Sequence, residues 1–223
     1  MGLGLAMVLI LCLGLILGFM VVQAMFAARK WRDVIAAGDR DALSDVLDDA
    51  FEAWRNSRPP RGMPPSDWRA LHTAAVVAAD RDRCRVSLIA DSDVRVVDGR
   101  RIEAGTVETV ARRAVMRMAE RLFYDIAHVH FQEVQVDVYT EYRTAGGASE
   151  SVCLVSARVH RDAIAGTDWD GDVDEVLGGW RVLASGGDAG VDPDSAALIT
   201  EAEVAAVRAA EEALRGPGRN TRP

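Results

Sequence analysis

The sequence predicts an α+β protein: one N-terminal transmembrane helix, then a mainly antiparallel sheet with amphipathic helices on one face. Three observations predict it. Residues 1–28 carry no Asp, Glu, Lys, Arg or His, so all 26 cations and 34 anions fall in the rest of the 223-residue chain. Further on, the apolar period changes from three and four residues to strict alternation, the mark of helix giving way to strand. The last two alternating runs are joined by a Gly-Gly turn too short for a parallel crossover, so they pair as a hairpin.

The opening run from Gly2 to Ala28 has Gln23 as its only strongly polar side chain. A helix of that length reaches roughly 40 Å, more than the roughly 30 Å hydrocarbon core. A cleaved signal peptide is the rival; it begins with a basic region and holds a shorter apolar stretch. Here the run is longer and nothing basic precedes it. Arg29, Lys30, Trp31 and Arg32 follow, placing cations and an interfacial aromatic at one end. Cations near a span stay on the cytoplasmic side, so the expected topology is N-terminus outside and body in the cytoplasm, on the cell membrane. Gly14 and Gly18 form a small-xxx-small pair suited to a helix–helix contact within the bilayer.

The body divides into a juxtamembrane segment with a helix and a Pro-rich connector (29–65), an α+β domain (66–190) and a terminal helix with tail (191–223). A helix is expected over Asp41–Ser57, where Leu43, Val46, Leu47, Ala50, Phe51 and Trp54 make one apolar stripe. The segment Ala37-Gly38-Asp39-Arg40-Asp41-Ala42-Leu43 at its start resembles first helices in cone-shaped α+β domains of the NTF2-like class. It covers seven residues, and no function is carried over from it. Pro59, Pro60, Pro64 and Pro65 make a stiff connector, after which Ser66 is placed to cap a helix carrying Trp68, Leu71 and Ala75.

Arg85–Ala90 and Val94–Val97 read as short strands around Asp91-Ser92-Asp93, and Asp98-Gly99 as a tight turn into Arg101-Ile102. A long helix follows from about Thr106 to Ala127, with Val107, Val110, Ala111, Ala114, Val115, Met118, Leu122 and Phe123 on its apolar face. In the run Phe131–Tyr142, Val134, Val136 and Val138 alternate with Glu133, Gln135, Asp137 and Tyr139, which predicts a strand with one wet face. Gly146-Gly147 turns the chain into Ser151–His160, with Val152, Leu154 and Ser156 expected on one side. A short element spans Val173–Leu183. A capping box, Thr200-Glu201-Ala202-Glu203, opens a last helix that Gly216-Pro217 ends.

Composition removes several chemistries. Of the 26 cations only Lys30 is Lys, at the membrane edge. No P-loop, kinase or Schiff-base lysine is therefore available to the body. No Gly-x-Ser-x-Gly occurs, and Cys12, Cys84 and Cys153 are too far apart for Cys-x-x-Cys chemistry. Beyond Arg32 the body carries 23 cations against 34 anions, a net charge of −11, which opposes nucleic-acid binding. Asp168, Asp170, Asp172 and Asp174 alternate around Gly171, yet no counting puts Gly sixth and a carboxylate twelfth in a calcium loop. His128 and His130, at i and i+2 on an expected strand, with His160 on the paired strand, are the best metal candidates. Glu133 and Asp137 have the opposite parity, so no metal or cofactor is expected. Arg113, Arg117 and Arg121 fall at i, i+4 and i+8 on the long helix, a basic stripe able to meet an acidic partner.

These readings lead to a single-pass membrane protein whose cytoplasmic domain acts as a non-catalytic accessory or assembly subunit. Its partners would be the bilayer and a protein or a second copy, with no nucleic acid. The alternative is a membrane-tethered enzyme or small-ligand or metal-binding domain, using His128, His130, His160 and the hairpin carboxylates.

Overall fold

The computed structural model describes residues 39–143, 147–184 and 190–200, with 202, 203, 205, 206, 209 and 210 beyond them. The uncharged run to Ala28, the Gly14–Gly18 pair and the cluster Arg29, Lys30, Trp31 and Arg32 lie outside the described residues. So do Gly146, residues 185–189 and the tail from 211. Among the described residues no helix is long and apolar enough to cross a membrane.

The architecture is α+β with a mostly antiparallel sheet. Helix α1 (Arg40–Asn56) starts at Asp39, whose carboxylate accepts the Ala42 N–H at 3.1 Å. That bond satisfies one of the donors a helix start leaves open. Leu43, Leu47 and Phe51 bury its apolar stripe. The helix stops where Ser57 turns extended ahead of Pro59 and Pro60. Helix α2 (Pro65–His72) begins with proline in its first turn and has no side-chain cap. Ser66 therefore does not cap it: it lies inside the helix, buried, with its hydroxyl 3.3 Å from Asp67 Oδ1. The helix also ends sooner than its apolar spacing suggests, because Ala75 opens strand β1 (Ala75–Ala79).

Strand β2 (Arg83–Ile89) pairs antiparallel with β1 and parallel with β5 (Glu133–Arg143). Between β2 and β5 the chain leaves the sheet. It forms a separate two-stranded ribbon, β3 (Asp93–Val97) and β4 (Arg100–Gly105), and then helix α3 (Val107–Tyr124). The ribbon turns at Asp98 and Gly99, both with positive φ (51° and 76°), as a tight two-residue hairpin turn demands. Thr106 caps α3 by accepting the Thr109 N–H. Strand β6 (Ser149–His160) returns antiparallel to β5, and β7 (Arg181–Ala184) pairs with β6. The sheet order is β1-β2-β5-β6-β7, so β2–β5 is the one parallel pair among the described residues. The element expected over 173–183 is two elements, helix α4 (Val173–Gly178) and β7.

One hydrophobic core joins α1, α2 and α3 to one face of the sheet, with Phe51, Leu71, Val86, Met118, Leu122 and Val136 among its members. The other face of β5 is not wet as its alternation suggests. Gln135 is 1% exposed and Asp137 is fully buried, because residues 190–199 cross over them as a strap. Val191 N–H donates to the Cys153 carbonyl, and Leu198 N–H to Gln135 Oε1 at 2.6 Å. Leu198 and Ile199 bury against Ala78. Gly190 is required where the strap meets β6, since a Cβ there would lie 2.6 Å from Val152 Cγ1.

Ser156 faces this strap side while Leu154 joins the helix-side core, so the single face expected for both is split. A register shift between Val138 and Tyr139 causes it: Tyr139 pairs with Cys153 and Val138 with Val155, leaving Leu154 extra. The capping box forms, with Glu203 N–H donating to Thr200 Oγ1 and Thr200 N–H to Glu203 Oε2.

Candidate functional site

Beneath the strap, Asp137 accepts Arg85 Nε at 2.7 Å on one oxygen. On the other it accepts Ser156 Oγ at 2.6 Å and Gln135 Nε2 at 2.9 Å. Arg85 Nη1 reaches Asp194 of the strap at 2.7 Å. Burial works against the Arg85 charge, but the hydrogen bonds to Asp137 and Asp194 outweigh it and hold the guanidinium above its usual pKa. Nearby, burial pushes the Tyr139 phenol up to about 12, and burial with the Asp137 charge pushes the Cys153 thiol up to about 12. Arg85, Asp137, Gln135, Ser156 and Asp194 thus form one hydrogen-bonded network. It fastens the strap to the sheet.

The histidines do not converge. His128 and His130 are exposed and sit in the loop between α3 and β5, not on a strand, and His128 has a positive φ of 67°. His160, the last residue of β6 and paired with Glu133, accepts the Asp162 N–H on Nδ1. Glu133 is taken by Arg158 in a two-bond pair at 2.6 and 3.1 Å. Among the described residues no three His, Cys, Asp or Glu groups are placed to hold a metal. The acidic loop is engaged in structure: Asp172 caps α4, while Asp170 and Asp174 pair with Arg117 and Arg112.

The basic stripe of α3 is brought together. Arg113, Arg117 and Arg121 line one groove of about 600 Å³. The connector from Pro60 to Pro64 forms one side, and Asp170, Gly171 and Val173 form the other. Each guanidinium has a different environment. Arg113 makes a two-bond pair with Asp67 of α2 at 2.7 and 2.8 Å, and this hydrogen bonding raises its pKa against the pull of burial. Arg117 donates to Glu120 at 3.1 Å and to Asp170 at 2.9 Å. Arg121 lies against two indoles, its guanidinium carbon 5.5 Å from the Trp54 ring centre and 5.2 Å from that of Trp68. Trp54 packs on Phe51 and Trp68 on His72, so an aromatic and cationic stack crosses α1, α3 and α2. Arg121 Nη1 is buried without a hydrogen-bond partner among the described residues. Burial lowers the Arg121 pKa, with the nearby Asp125 and Glu120 charges acting the other way.

Sequence spacing places the three arginines on one helical face, but it does not reveal Trp54, Trp68, Asp67 or Asp170 beside them. Those residues come from separate elements, and only the packing of α1, α2 and the 168–173 loop on α3 makes them neighbours. Set against known protein families, curated proteins and solved structures, the chain matches none.

Proposed function

We propose that this is a single-pass membrane-anchored protein whose α+β domain works by contact, as a non-catalytic accessory or assembly subunit. The groove along α3 is its contact surface. The carrying observation is Arg121: a guanidinium set against two tryptophans, lining a groove of about 600 Å³, with a buried nitrogen that no described residue satisfies. A buried polar group without a partner costs about 1–3 kcal/mol, and a bound group can recover that cost. Tryptophan and arginine are also the residues that most often dominate binding energy at protein contacts. The uncharged run to Ala28 and its Arg29–Arg32 flank support the anchor and its orientation.

The test is purification of the full chain from its native membrane in mild detergent, followed by identification of co-purifying proteins. Met63→Glu in the groove wall removes the partner, while Val96→Glu on the exposed ribbon leaves it bound. A chain that fractionates without detergent, or a partner retained by Met63→Glu, contradicts the proposal.

A further inference from the structure

We infer that the groove recognises a single carboxylate carried on a short apolar peptide segment of the partner, with Arg121 as the recognising residue. This rests on the reading of the groove as a contact surface.

The three arginines differ in what they have left to offer. Arg113 commits Nε and Nη2 to the two oxygens of Asp67, and Arg117 commits both terminal nitrogens to Glu120 and Asp170. Arg121 is braced by ring faces, which stabilise a cation but accept no strong hydrogen bond, and its Nη1 has no acceptor among the described residues. A guanidinium is a planar fork of donors whose natural complement is a carboxylate or phosphate oxygen pair.

The charges around it choose between those two. Asp67, Glu120, Asp125 and Asp170 line the same groove. Arg61 lines it too, so the four arginines and four carboxylates of the lining cancel, leaving little net positive charge for a second negative group. A phosphate dianion would meet carboxylate repulsion that a monoanion avoids. The remaining walls select an apolar body: Met63, Met116 and Val173 line the groove, and methionine adapts to irregular shapes. The volume lies within the range of about 300–1,000 Å³ that encloses a compact ligand, suiting a peptide end rather than a folded element.

The experiment uses the full chain in mild detergent and calorimetric titration with four probes: acetyl-Leu-Leu as free acid, the same peptide amidated, 4-methylpentanoic acid and inorganic phosphate. The free-acid peptide is expected to bind saturably, and the amide at least about tenfold more weakly. Arg121→Met is expected to lose affinity for the acid to the same extent, while 4-methylpentanoic acid binds more weakly than the peptide and phosphate does not saturate. The acid–amide comparison needs no variant, so it stands even if Arg121→Met folds poorly. Failure of the peptide acid to bind, equal binding of acid and amide, or phosphate or 4-methylpentanoic acid binding as tightly as the peptide acid overturns the inference. In the native membrane, a partner lost by Met63→Glu but kept by Arg121→Met overturns the carboxylate while the contact surface stands. A partner kept by both overturns the contact surface as well.

Discussion

Arg85 and Arg121 are both drawn into the protein, on opposite sides of the sheet, and their surroundings differ. Arg85 is 4% exposed and meets two carboxylates, one of them fully buried and itself held by Ser156 and Gln135. Arg121 meets two indole rings and, among the described residues, no acceptor for Nη1. The first arrangement is complete within the chain, so it serves the fold. The second is incomplete among the described residues, and in the proposed reading a partner completes it. A buried charge thus tells little about function until its hydrogen bonds are followed.

The comparison is broken most forcefully at Asp137. Asp137→Ala leaves Arg85 buried with only Asp194 for a partner, and is expected to cost about 3–5 kcal/mol in chemical unfolding. A loss under about 1 kcal/mol would mean that the strap opens and lets water reach Arg85. Asp67→Ala removes the buried partner of Arg113 and is expected to cost about 1–3 kcal/mol by the same measurement, since α2 loses its tie to α3.

Alkali sharpens the strap side. Cys153 and Tyr139 stay protonated in the folded protein up to about 12, against ordinary values of 9.0 and 10.0. Above pH about 9 the unfolded chain releases these protons and the folded one keeps them, so stability falls as pH rises and is fully present below that point. The urea midpoint of the wild type should therefore hold up to about pH 9 and drop from there towards about pH 12, and Tyr139→Phe should show a shallower slope above about pH 10. Identical slopes would mean that burial does not hold the Tyr139 proton.

The smallest effects on stability are expected at Asp194 and at Arg121 itself. Asp194 is 77% exposed, so Asp194→Ala is expected to cost less than about 1 kcal/mol while Arg85 keeps Asp137. Arg121→Met replaces an unsatisfied cation by an apolar chain of similar reach, and its melting temperature should stay within about 4 °C of wild type.

The sequence makes some of this legible and hides the rest for a physical reason. The stripe Leu43, Leu47 and Phe51, the Asp98-Gly99 turn and the Thr200–Glu203 box are local: each depends on residues a few positions apart, and each forms. The burial of Gln135 and Asp137 is not local. Their alternation with valines reads as a wet face until a segment more than fifty residues later lies over them, with Pro193 and Leu198 meeting Gln135. The β2–β5 pairing is hidden likewise, because the ribbon and α3 intervene between the two strands. Leu154 changes sides through one extra residue that no alternation announces. For the groove, Arg113, Arg117 and Arg121 are readable from helical spacing, whereas the difference among them is set by Asp67, Asp170, Trp54 and Trp68 from other elements.

The most direct measurement places a photo-crosslinking side chain at position 63 in the groove or at position 194 on the strap, in the full chain in its native membrane. A discrete protein adduct from position 63 and none from position 194 is the predicted result. An adduct from position 194 alone, or from neither position, would contradict the assignment of contact to the Arg121 side of the sheet.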